Sequence, residues 1–96
     1  MLTNKIALVT GGTKGIGQSI VKEFLDNGAY VFATYSRDDV AANKINNEFQ
    51  KHYLGKFEIH KGSVLDLEFI TRLLNKIAHQ FGHLDILVNN AGITQD

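Results

Sequence analysis

The sequence predicts an α/β chain built on an open, doubly wound parallel sheet in the order βαβαβαβ. Three observations carry that prediction: near-continuous apolar runs of strand length, amphipathic stretches of helix length between them, and glycine-containing segments after the first and last of those runs. Strands separated by such helices pair in parallel through right-handed crossovers. Ligands of these sheets bind outside the carboxyl ends of the strands, where the winding direction reverses.

The elements follow in order. Residues 5–10 include Ile6, Ala7, Leu8 and Val9, the pattern of a strand covered on both faces. Ile16, Ile20, Val21, Phe24 and Leu25 then recur at helical spacing, and Asn27-Gly28 supplies the stop. Residues 30–34 are β-branched and aromatic, a second strand. Ser36 and Asp39 have capping-box spacing ahead of a helix carrying Val40, Ala41, Ile45 and Phe49. Lys51, His52 and Gly55 mark the end of that helix, and Phe57, Ile59 and Lys61 a short third strand. Asp66 sits where an N-cap belongs, before an apolar face of Leu67, Ile70, Leu73, Leu74, Ile77, Ala78 and Phe81 that Gly82 closes. Asp85-Ile86-Leu87-Val88 is the fourth strand, running into Asn89-Asn90-Ala91-Gly92.

Ninety-six residues with 44% apolar content bury one modest core, which excludes two domains. Ten basic and ten acidic side chains cancel, and no stretch gathers Lys or Arg, so the footprint of a nucleic-acid binder is missing. The absence of cysteine removes disulfides and thiolate zinc sites and suits a cytoplasmic protein. The apolar run after Lys5 is too short for a signal-peptide core or a membrane span.

Thr10-Gly11-Gly12-Thr13-Lys14-Gly15-Ile16-Gly17 lies between the first strand and the first helix, so backbone amides and a helix N-terminus converge on one spot. That spot favours a pyrophosphate. Gly11 and Gly15 have access to backbone angles closed to other residues, and Gly17 permits close helix-to-strand packing. The Walker arrangement, with glycine before Lys-Ser or Lys-Thr, is absent, which disfavours an ATPase.

Thr-Gly-x-x-x-Gly-x-Gly together with Asn89-Asn90-Ala91-Gly92 resembles the short-chain dehydrogenase/reductase family, and within it the β-ketoacyl-acyl carrier protein reductases. The resemblance extends through Asn27-Gly28-Ala29 and through residues 81–88. It implies a Rossmann-type sheet, an NAD(P)H-dependent oxidoreductase reducing a carbonyl such as a 3-oxoacyl thioester, and a role in fatty-acid synthesis. It further implies that Thr10 and the Asn-Asn-Ala-Gly segment tie the central strands together, that Ala91 and Gly92 bring backbone close to the cofactor ribose, and that the complete protein is a homo-oligomer, a tetramer in this family.

An NAD-selective site needs a carboxylate at the end of the second strand, whereas the 2′-phosphate of NADP needs Arg or Lys. In the family's register the acid position falls on uncharged Tyr35, with Ser36 and Arg37 following. Lys14 adds a second cation in the glycine turn. NADP(H) is therefore expected over NAD(H), with Asp38 and Asp39 read as first-turn helix charges and solvated positions left as the plain alternative for Lys14 and Arg37. At the third strand, where many family members place an Asp against the adenine, this chain has Ser63-Val64. These either offer a hydroxyl and a backbone amide to the adenine or start the turn before Asp66. The expected cofactor set is thus Gly11, Thr13, Lys14, Gly15, Ile16, Gly17, Tyr35, Ser36, Arg37, Ser63, Val64, Asn90, Ala91 and Gly92.

No catalytic residue is assignable. The family's chemistry uses a Tyr with a Lys four residues later, but Tyr30, Tyr35 and Tyr53 are followed at that spacing by Thr34, Asp39 and Phe57. His79 and His83 have metal spacing, yet Gly82 interrupts them and no third ligand presents itself; His52 and His60 read as surface residues. Residues 1–96 are accordingly expected to be the cofactor-binding portion of one larger domain, inactive alone and with an open edge at the fourth strand that invites pairing. The competing reading is a non-catalytic dinucleotide-binding or assembly module.

Overall fold

A computed structural model describes residues 1–90. The expected elements are all present: β1 (Ile6–Thr10), α1 (Gly15–Asp26), β2 (Tyr30–Tyr35), α2 (Asp39–His52), β3 (Phe57–Lys61), α3 (Leu67–Phe81) and β4 (Ile86–Asn89). The strands form one parallel sheet in the order β3-β2-β1-β4. The chain winds outward from β1 to β3 and then returns to the other side of β1, so the switch point lies between β1 and β4.

Alternation along the strands divides the core between the two faces of the sheet. Ala7, Val9, Val31 and Ala33 pack with Val21 and Leu25 of α1 and Ile45 and Phe49 of α2. Ile6, Leu8 and Phe32 pack on the other face with Phe69, Leu73 and Ile77 of α3. All five residues of β1 are buried, which is why its sequence is apolar without a period of two. At the foot of the sheet Asp85 Oδ2 accepts the Ile6 N–H at 2.8 Å, so the carboxylate before β4 satisfies an amide of β1. Among the described residues no helix is long and apolar enough to cross a membrane.

Several local expectations are corrected. The N-cap of α2 is Asp38, whose side chain accepts the Ala41 N–H, and not Ser36. β2 continues through Tyr35, paired with Lys61, and leaves Ser36 and Arg37 as the connection. In α3 the buried row is Phe69, Leu73 and Ile77, whereas Leu67 is 78% exposed and Leu74 is 39% exposed. A helix lying on a flat sheet buries one row at i, i+4, i+8, and the neighbouring apolar row is left on its flank. Ile16 and Val40, both in first turns, likewise remain exposed. His60, expected at the surface, is half-buried: it stacks on Phe32 with ring centroids 6.1 Å apart and meets Glu58 at 2.7 Å.

Candidate functional site

The glycine turn is anchored from both sides. Gly12 N–H donates to the Thr34 carbonyl at 3.1 Å, and Gly11 N–H to Thr34 Oγ1 at 3.3 Å, tying the turn to the end of β2. Asn90 N–H donates to Thr10 Oγ1 at 2.9 Å, and Asn90 Nδ2 to the Gly11 carbonyl at 3.2 Å, tying it to the end of β4. Thr10 and Asn90 therefore do join the central strands at the switch point. Thr34 is a contributor that the sequence reading missed; its only signal is a hydroxyl inside an apolar strand.

Gly11 and Gly15 take φ of 66° and 55°, in the left-handed region where a β-carbon is strained. Gly17 has a different task. A β-carbon there would collide with the Gly11 carbonyl and stand 2.7 Å from Asn90 Nδ2, so α1 starts hard against the turn itself. The close approach between helix and strand occurs at Gly12, where a β-carbon would lie 2.8 Å from Ala33 Cβ and 3.0 Å from Val21 Cγ2. Gly12 was not among the expected site residues.

The N-terminus of α1 differs from the other two. α2 and α3 are capped by Asp38 and Asp66 and carry Asp39 and Glu68 in their first turns. α1 starts after Lys14 with no side-chain cap and no acid in its first turn. Beside it, Thr13 is 1% exposed and its Oγ1 is a buried oxygen without a hydrogen-bond partner among the described residues. Leaving such a hydroxyl unmatched costs roughly 1–3 kcal/mol. An uncapped positive helix end, a glycine cradle and an orphaned hydroxyl fit a phosphate group. A cleft of about 340 Å³ adjoins them, with Thr13, Lys14, Gly15 and Gln18 on one side and Ala41, Lys44, Ile45 and Glu48 on the other.

Lys14 reaches across to α2, its Nζ 3.5 Å from Asp38 Oδ2, with both side chains about two-fifths exposed. The Ala41 N–H, and after it Lys14, hold the Asp38 carboxyl below the ordinary carboxylate value. Asp39 turns the other way. Tyr35 O–H donates to its Oδ1 at 2.8 Å and Lys61 Nζ lies 3.1 Å from the same oxygen; these two bonds hold it ionised. Tyr35, Ser36 and Arg37 thus sit beside the glycine turn at the carboxyl end of the sheet. Ser63 leaves β3 on the same side, but its hydroxyl accepts the Leu65 N–H and its carbonyl the Asp66 N–H, each at 3.0 Å. Ser63 therefore starts the turn before Asp66, with Val64 inside that turn. Gly62, before it, receives the Phe69 ring where a β-carbon would clash, another position the sequence did not flag.

The family model for short chain dehydrogenases matches residues 5–96. The chain belongs to that family. Its members are oxidoreductases that use a nicotinamide dinucleotide. Over 98 aligned residues, 99% of this chain and 37% of its relative, the chain is 46% identical to 3-oxoacyl-acyl-carrier-protein reductase of Haemophilus influenzae. To 3alpha-hydroxysteroid dehydrogenase of Mediterraneibacter gnavus it is 41% identical, covering 99% of this chain and 38% of that protein. A metagenomic short-chain oxidoreductase solved in complex with NADP superposes with a TM-score of 0.82 at 30% identity, over 96% of this chain and 41% of that one. A short chain dehydrogenase from Bacillus anthracis gives 0.83 at 27% identity, over 95% and 36%. The chain therefore spans less than half the length of these relatives.

Ala91 and Gly92 lie outside the described residues. The chain's three tyrosines are all made less acidic by their surroundings, the reverse of what a proton-donating phenol needs. Burial and then Glu58 raise Tyr30, whereas hydrogen bonds to Asp39 and Asp26 raise Tyr35 and Tyr53. Among the described residues no three His, Asp or Glu side chains gather as metal ligands.

Proposed function

We propose that residues 1–96 form the cofactor-binding portion of a single larger domain in an NADP(H)-dependent short-chain reductase. The observation that carries this reading is the first turn of α1, uncapped and free of acids, with the orphaned Thr13 hydroxyl beside it. Gly11, Thr13, Gly15, Ile16 and Gly17 take the pyrophosphate. Lys14 and Arg37, with the Ser36 hydroxyl, take the 2′-phosphate at a strand end where Tyr35 replaces the ribose-binding acid. Ser63 and Val64 meet the adenine through a hydroxyl and a backbone amide, because the Ser63 oxygen that accepts the Leu65 N–H keeps its own O–H to donate. Asn90 belongs to the same cofactor set, and Ala91 and Gly92 bring backbone close to the cofactor ribose. The bound dinucleotide supplies the hydride; these residues hold its phosphates and orient it.

For the whole protein the substrate we propose is a small carbonyl compound such as a 3-oxoacyl thioester, reduced in the cytoplasm as part of fatty-acid synthesis by a homo-oligomer. The high identity to the Haemophilus influenzae reductase supports this choice, although a hydroxysteroid dehydrogenase is nearly as similar. Oxidation of NADPH by a 3-oxoacyl thioester in the presence of the whole protein is the expected result, with no turnover by the 96-residue chain alone. Dinucleotide binding without turnover of any carbonyl compound by the whole protein would instead favour a non-catalytic binding module.

A further inference from the structure

Lys14 is shared between two anions, one of which is built into the fold. Its ammonium lies 3.5 Å from Asp38 Oδ2, while the other oxygen of that carboxylate is fixed by the Ala41 N–H at 3.0 Å. Asp38 is therefore held by the α2 cap on one side and offers a negative charge to Lys14 on the other. The α2 start needs the acceptor oxygen but not the charge, because Asn and Ser serve as N-caps about as well as Asp. The charge has no such structural necessity.

We propose that Asp38 is a specificity-tuning residue that competes with the cofactor's 2′-phosphate for Lys14 and so weakens NADP(H) relative to NAD(H). This rests on the reading of Lys14 as a phosphate ligand. Binding of the phosphate draws Lys14 out of its pair with Asp38 and places a dianion close to a carboxylate that the Ala41 N–H holds in place. A ribose with a free 2′-hydroxyl incurs neither cost, since it asks nothing of Lys14 and carries no charge there. Asp39 does not share this effect because its carboxylate is engaged by Tyr35 and Lys61. Asp38 thereby holds the preference for the phosphorylated dinucleotide below what Lys14 and Arg37 alone would give. An exposed pair of this kind is weak, so the expected effect of neutralising it is roughly three- to five-fold.

The test titrates adenosine 2′,5′-bisphosphate and AMP, which probe the 2′-phosphate site without the nicotinamide half, into the wild type, Asp38→Asn, Asp38→Ser and each of these combined with Lys14→Met. Both neutral caps are expected to tighten the bisphosphate about three- to five-fold, to leave AMP unchanged, and to lose most of that gain in the Lys14→Met background. A wild type that binds the bisphosphate no better than AMP would defeat the reading of Lys14 and the proposal with it. If the wild type prefers the bisphosphate, equal affinity in the neutral-cap variants, or a gain shared by AMP, overturns the role of Asp38 alone.

Discussion

A methyl group added at Gly17 has nowhere to go, because its neighbours are the Gly11 carbonyl and the Asn90 amide, both held in the lattice that joins β1, β2 and β4. Gly17→Ala is expected to destabilise the chain by about 2 kcal/mol or more, read as a lowered urea midpoint at unchanged slope. Thr13 makes the opposite case. Its buried hydroxyl has no partner among the described residues, so Thr13→Val should stabilise the ligand-free chain by about 1 kcal/mol while weakening dinucleotide binding. A stability gain without a binding loss would show that the hydroxyl does not serve a phosphate. At this scale the motif glycines were legible because each needs either a positive φ or missing volume. Gly12 and Gly62 escaped because their need comes from Ala33, Val21 and Phe69, which are distant in sequence.

Among elements, α3 separates what a pattern reveals from what packing decides. Asp66 accepts the Glu68 and Phe69 N–H groups as its position suggested, at 3.0 and 3.2 Å. Asp66→Ala should cost about 1 kcal/mol in urea unfolding and Asp66→Asn almost nothing. The apolar face is a different matter. Seven apolar positions read as one surface, yet only Leu73 and Ile77 of them are fully buried, with Phe69, which was not in the expected set, while Ile70 and Phe81 pack partly buried against the same core. Phe69→Ala is therefore predicted to cost about 3–5 kcal/mol, and Leu67→Ala no more than about 0.5 kcal/mol. The start of α2 was misplaced for a related reason. Ser36 and Asp38 are both good caps, and the choice between them is made by the Tyr35–Lys61 pairing that extends β2. Such partners are invisible to a local pattern.

For the whole molecule, several carboxylates couple folding to pH. Hydrogen bonds from Tyr53 and then Lys22 lower Asp26, the Ala41 N–H and then Lys14 lower Asp38, and Tyr35 and then Lys61 lower Asp39, all from an ordinary value of 3.8. Burial alone would raise Glu58, but its bonds to His60 and Lys76 outweigh that and lower it below its ordinary 4.5. Groups whose folded pKa is depressed contribute stability that is complete above the ordinary carboxylate range and lost as pH falls through it. The urea midpoint should accordingly hold from pH 7 to about 5 and decline below 4, with a smaller decline in Asp39→Asn. The sheet's β4 edge has a separate consequence. Leu87 is 60% exposed on a strand paired only with β1 among the described residues. The 96-residue chain should self-associate with rising concentration in sedimentation, and Leu87→Lys should shift it towards monomer.

A phosphate-selecting dinucleotide site at the switch point between β1 and β4 is open to a parallel fluorescence titration with NADPH and NADH at fixed salt. NADPH is expected to bind more tightly, with that advantage falling about five- to ten-fold in Lys14→Ala or Arg37→Ala while NADH is unaffected. Equal affinity for the two dinucleotides, or a preference for NADH that survives both substitutions, would contradict it.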